Sequence, residues 1–153
     1  MAGTYTYLLY HLVFSTKGRF PLVSRELQPE LYAYVGGIVR GEGGVLIEIG
    51  GMPDHVHLLA KFKPTASLSE ILRLVKGSSS KWVNVEKFNP QVWLAGRVPA
   101  FSVSESQVDA VREYIRTQEA HHRRLSYQDE FRSLLDRHGI EYEERIYGID
   151  QTR

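Results

Sequence analysis

The chain predicts an α+β domain, an antiparallel sheet with two helices packed on it and further helices at the C-terminal end. Three observations predict it. Residues 5–16, 45–49 and 54–62 are runs rich in β-branched and aromatic side chains; apolar residues recur at helical spacing between and after them; and Gly, Pro or capping signals mark the junctions.

Residues 5–16 are apolar or aromatic on both alternating faces, which suits a strand covered on both sides, and Lys17-Gly18-Arg19-Phe20-Pro21 closes it. Over residues 27–40, Leu31, Val35 and Ile38 follow a helical period, and Gly41, Gly43 and Gly44 end it. Residues 45–49 and 54–62 read as a hairpin around a Gly50-Gly51-Met52-Pro53 turn, with Pro64 as the stop. Ser67 and Glu70 stand at capping-box spacing, and Leu68, Ile71, Leu72, Val75 and Trp82 line one face of the helix they open.

Asn-Pro, Gly and Pro signals between Phe88 and Pro99 predict a loop, and residues 100–103 a short strand. Ser104 and Gln107 form a second capping box, opening a third helix through Val108, Val111 and Ile115 to about His122. A last helix is expected from Ser126, with Asp129 at the box position, to His138, and Gly139 takes the C′ place. The order β-α-β-β-α-β followed by helices is the split βαβ, or ferredoxin-like, arrangement, in which one sheet face is left for a cover or a ligand.

The 153 residues, 42% of them hydrophobic, suffice for one core, so a single domain over 1–153 is expected. With 19 Lys+Arg against 18 Asp+Glu, only local clusters of charge can speak for a nucleic-acid partner. The absence of cysteine excludes disulfides and thiolate metal sites and points to an intracellular protein. No signal-peptide pattern opens the chain and no stretch suits a membrane span, so a cytoplasmic protein without a membrane partner is expected.

The chemistry centres on PDHVHLL. Side chains at i and i+2 of a strand share a face, so His55 and His57 project together, close enough to share an ion, while Asp54, Val56, Leu58 and Ala60 point to the helices. The histidines are thereby expected on the open sheet face, with Glu48 of the preceding strand on the same side as a candidate to orient them. An isolated HxH is more often a hydrogen-bonded pair than a metal site. A histidine-triad hydrolase needs a third histidine where Leu59 stands, and a zinc deaminase needs cysteines that the chain lacks. In the third helix Tyr114 and Gln118 lie one turn apart on one face.

Taken with YHLVFSTK, GGMPDHVHLL, AFSVSESQ, YIRTQEAHHR and FRSLLDRHGIEYEERI, in order along nearly the whole chain, these residues resemble the single-tyrosine transposases of the HUH superfamily. The resemblance implies cleavage and rejoining of single-stranded DNA at hairpin-marked element ends through a 5′-phosphotyrosine. Tyr114 matches the nucleophile, and His55, His57 and Gln118 match the ligands of a divalent metal, Mg²⁺ or Mn²⁺. It also implies a homodimer, able to combine His55 and His57 of one subunit with Tyr114 of the other, and no nucleotide cofactor. Arg97 departs from the family pattern, standing where Tyr is expected in the LAGRVPAF loop.

For DNA contacts, Lys17 and Arg19 lie in the first loop. Arg73, Lys76, Ser80, Asn84 and Lys87 follow the outer face of the second helix, a line of cations suited to a phosphate backbone. His11 is expected to be structural or near the DNA. Two rivals use the same residues otherwise: a relative that processes repeated genomic hairpins without mobilising itself, and a non-catalytic nucleic-acid-binding domain on the same fold.

Overall fold

The structure is a computed structural model and describes residues 5–86, 94–95, 98–122 and 126–141; the side chains of 95, 121, 122 and 127 are not among those described. Its elements run β1 (Leu8–Thr16), α1 (Leu27–Gly41), β2 (Val45–Met52), β3 (His55–Phe62), α2 (Leu68–Glu86), β4 (Leu94–Ala95), β5 (Ala100–Val103), α3 (Val108–Arg116), α4 (Gln118–His122) and α5 (Tyr127–Arg137). The strands form one antiparallel sheet in the order β2-β3-β1, with β5 and β4 pairing successive stretches of the far edge of β1. This is the expected split βαβ order, with the two-residue β4 added inside the expected loop.

Strand alternation divides the core in two. Leu12 and Phe14 of β1 and Val56, Leu58, Ala60 and Phe62 of β3 face α1 and α2, packing with Leu31, Val35, Val39, Ile71 and Val75. The opposite face, expected to be open, is closed by the C-terminal helices: Val13 and Phe101 pack with Phe131, Leu134 and Leu135 of α5. The apolar character of β1 on both sides is thereby accounted for, because both of its faces are buried.

Several boundaries differ from the sequence expectation for identifiable reasons. β1 begins at Leu8 because its partner β3 ends opposite, at Phe62; Tyr5 is fully exposed. Gly50 and Gly51 belong to β2, and the turn contracts to Pro53 and Asp54. They are glycines because other chain segments press on them: a Cβ on Gly50 would lie 2.6 Å from the Ile115 carbonyl oxygen of α3, and one on Gly51 would lie 2.2 Å from that of His55.

The expected third helix is broken at Thr117, whose φ of −102° and ψ of 28° leave the helical region. Its hydroxyl donates to the Glu113 carbonyl at 2.8 Å, a back-bond that bends helices. Ser104 does not cap this helix with its side chain and pairs with Ser106 instead. The other caps form in part or in full: Ser67 accepts from the Glu70 amide at 3.4 Å, Ser126 accepts from Asp129 at 3.2 Å, and Gly139 ends α5 with φ of 66°.

Candidate active site

His55 and His57 stand on the α3/α5 face of β3, directly opposite Ser15 and Val13 of β1. Both are 0% exposed, so they lie beneath a cover of helices and not on an open surface. That cover delivers the other site residues. α3 is seated on β2 where Gly50 admits the Ile115 carbonyl, and Glu48 reinforces the seat by accepting from Arg112 at 3.2 Å and Arg116 at 3.1 Å. Glu48 faces the expected side, but it anchors the helix and does not orient the histidines.

The break at Thr117 turns Gln118 inward, where it is 1% exposed. His55 Nε2 points at Gln118 Oε1, 3.0 Å away, while the Gln118 amide donates to the Tyr114 carbonyl at 3.3 Å. The Tyr114 ring stands nearly perpendicular to His57, with centroids 5.7 Å apart. His55, His57, Tyr114 and Gln118 are therefore brought together, all within one chain.

Glu130, which the sequence reading did not single out, completes the cluster from the first turn of α5. Its Oε1 lies 3.2 Å from His55 Nε2 and 3.1 Å from His57 Nε2; its Oε2 accepts from Gln118 at 3.2 Å and, in a short hydrogen bond, from the Tyr114 hydroxyl. The signal was its position: Glu130 sits four residues before Leu134 and next to Phe131, on the buried stripe of α5.

Two further residues hold the imidazoles from behind. Asp54, expected to point toward α1 and α2, instead accepts from His55 Nδ1 at 2.6 Å. His11 Nε2 lies 2.8 Å from His57 Nδ1, with the two rings stacked. Each histidine thus turns Nε2 inward and has its other nitrogen engaged, as metal-ligating histidines do.

Charge in this buried space is tuned by its neighbours. Burial alone disfavours the His55 imidazolium, but its hydrogen bonds to the Asp54 and Glu130 carboxylates outweigh it and raise the pKa from 6.5 to about 9. His11 moves the other way, to about 3, through burial and then the neighbouring His57, so it is neutral. Burial, followed by the charge of Glu130, pushes the Tyr114 hydroxyl upward and keeps it protonated.

Two imidazole nitrogens, an amide oxygen and a carboxylate oxygen facing one another form a donor set suited to a divalent ion; His55, His57 and Glu130 alone bring donors within 4.8 Å of one another. Beside it, a cavity of about 530 Å³ between β5, α3 and α5 reaches the Tyr114 ring and is also lined by His11, Gln107, Val111, Arg137 and His138.

The cation candidates lie apart from this cluster. Lys17 and Arg19 form the turn after β1, next to the Pro53-Asp54 turn through the Thr16 N–H bond to the Asp54 carbonyl. Arg73 and Lys76 are on α2, across the sheet from the histidines, and Arg73 pairs with Glu70. Ser80 accepts from the Leu94 amide, a structural task. Lys87 and Arg97 lie outside the described residues. No helix among the described residues is long and apolar enough to cross a membrane.

Comparison with known proteins agrees with this geometry. Residues 4–118 match the family described as IS200-like transposases. The ISDra2 transposase TnpA of Deinococcus radiodurans is 29% identical over 122 residues, covering 74% of this chain and 86% of that protein. Among solved structures, a Deinococcus radiodurans R1 protein described as a transposase superposes with a TM-score of 0.62 at 24% identity, over 77% of this chain and 95% of the other. A REP-associated tyrosine transposase bound to a REP hairpin gives 0.61 at 13% identity, over 100% and 92%. At these identities the structural matches speak for the fold, whereas the family match spans both histidines, Tyr114 and Gln118: the chain belongs to the IS200-like transposases.

Proposed function

We propose that the chain cuts and rejoins single-stranded DNA at hairpin-marked ends, with Tyr114 as nucleophile and His55, His57 and Gln118 as ligands of a divalent metal, Mn²⁺ or Mg²⁺. The observation that carries this reading is the convergence of those four side chains, from β3 and from either side of the Thr117 break, in one buried cluster. Imidazole donors suit Mn²⁺ better than Mg²⁺. When bound, the ion would act as a Lewis acid on the scissile phosphate.

The chain's own residues do the rest. The Tyr114 oxygen attacks phosphorus and gives up its proton, the bond from phosphorus to the 3′ oxygen breaks, and the 3′ oxygen takes up one proton, so that the tyrosine proton is carried off, net, on the leaving 3′ hydroxyl. The 5′ phosphate remains on tyrosine, and attack by another 3′ hydroxyl reverses the step. Because the ester conserves the bond, no nucleotide cofactor is required. His11 and Asp54 keep the two imidazoles oriented with Nε2 inward. Lys17 and Arg19, beside the turn that leads to His55, Arg73 and Lys76 of α2, and Lys87 supply phosphate contacts to the hairpin.

The protein acts as a homodimer joined through sheet edges; β2, an outer strand that pairs with β3 alone among the described strands, supports this. Within the single chain the Tyr114 ring centroid lies 5.7 Å from that of His57, and in a dimer the same tyrosine helix could serve the histidines of either subunit. The fold match over the whole chain to a hairpin-bound REP-associated transposase favours a second reading, in which the same chemistry acts on repeated genomic hairpins. A non-catalytic domain has no use for a buried His-His-Gln cluster against a tyrosine.

The test uses a labelled single-stranded hairpin oligonucleotide with Mn²⁺ and denaturing electrophoresis. The wild-type chain should form a protein-linked product, and Tyr114→Phe should lose it, by at least about a thousandfold, while still binding the hairpin. An adduct that survives Tyr114→Phe sinks the assignment.

A further inference from the structure

Two histidines and an amide oxygen make a weak site for a divalent ion. The structure adds a carboxylate to it. We propose that Glu130 is a catalytic residue, a fourth protein ligand to the divalent ion whose second oxygen holds the Tyr114 hydroxyl. This inference rests on the metal-site reading of His55, His57 and Gln118.

Distance supports the role of ligand. Donors about 2.1 Å from one ion and at right angles to each other are about 3 Å apart. Glu130 Oε1 lies 3.2 Å from His55 Nε2 and 3.1 Å from His57 Nε2, and Gln118 Oε1 lies 3.0 Å from His55 Nε2. These separations are compatible with Glu130 Oε1 serving as a ligand beside the imidazoles, as they are with hydrogen bonding in the metal-free chain.

Burial supports it as well. Glu130 is 1% exposed, a position where a carboxylate is expensive unless it is paired or binds metal. It comes from α5, which follows the matched residues 4–118. With Oε2 on the Tyr114 hydroxyl, one side chain ties the nucleophile to the ion. The added negative charge lets the ion bind before DNA does.

The experiment is calorimetric titration of the DNA-free, full chain with MnCl₂, with thermal melts to confirm folding. Wild type should bind one Mn²⁺ per chain, Glu130→Gln should bind at least about tenfold more weakly, and His57→Ala should not bind. At saturating Mn²⁺, Glu130→Gln should also slow adduct formation with little change in the KM for the oligonucleotide, the sign of a misplaced nucleophile. If Glu130→Gln fails to fold, Glu130→Asp takes its place, and it should keep Mn²⁺ while losing adduct rate. Equal or tighter Mn²⁺ binding by Glu130→Gln, with His57→Ala still abolishing binding, overturns the role of Glu130 alone. Unchanged binding in His57→Ala overturns the metal-site reading on which it rests.

Discussion

The two faces of the sheet are both buried and are built on opposite terms. Under α1 and α2 the strands contribute Leu12, Phe14, Val56, Leu58 and Phe62, which gain from leaving water. Under α3 to α5 the same two strands contribute His11, His55 and His57, joined there by Gln118 and Glu130, groups whose burial must be compensated by hydrogen bonds. One strand supplies both sets by alternation: Val56 and Leu58 turn one way, His55 and His57 the other. The first face holds the fold together, and the second spends part of that stability on a site.

The sharpest way to break the contrast is to damage the apolar face alone. Leu58→Ala leaves a cavity in the apolar cluster beside its register partner Leu12 and should cost about 2 to 5 kcal/mol of stability in urea unfolding. Mn²⁺ affinity of the folded fraction should stay at the wild-type level. A smaller loss is expected at the seat of the tyrosine helix. Gly50→Ala drives a methyl into the Ile115 carbonyl at 2.6 Å, and about 1 to 3 kcal/mol should be lost as α3 shifts. Adduct formation should fall by more than that stability change explains, because Tyr114 and Gln118 ride on the displaced segment.

A third effect is a pH dependence confined to the polar face. The His55 pKa is raised from 6.5 to about 9 in the folded, metal-free chain, so its contribution is fully present below pH 6.5 and is lost as pH rises to about 9. His11, lowered to about 3, acts in the opposite sense: its contribution is present above pH 6.5 and lost as pH falls toward 3. Melting temperature without metal should therefore decline between pH 6.5 and 9. With Mn²⁺ the decline should vanish, since the ion takes neutral His55 and competes with its proton. An unchanged decline in saturating Mn²⁺ would place the ion elsewhere.

Much of this was legible in the sequence. Period-two geometry put His55 and His57 on one face, and the order of strands and helices gave the split βαβ sheet. Tyr114 and Gln118 stood out through one-turn spacing and family resemblance. What closes the second face was not legible, because an amphipathic helix such as α5 announces its apolar stripe but not the surface it lands on. Glu130 was hidden for a related reason: in Ser126-Tyr127-Gln128-Asp129-Glu130 it reads as one of the acids that commonly begin a helix. Gly50-Gly51 reads locally as a turn, and only the approach of Ile115 and His55 explains it as strand.

The central claim, that this face of the sheet aims one tyrosine at DNA, is tested most directly by locating the covalent bond. After reaction of the wild-type chain with a single-stranded hairpin substrate and Mn²⁺, trypsin digestion and mass spectrometry should find the 5′ phosphate on the peptide from Glu113 to Arg116, at Tyr114. The phosphate on any other residue, or cut DNA with no tyrosine adduct, would contradict the account.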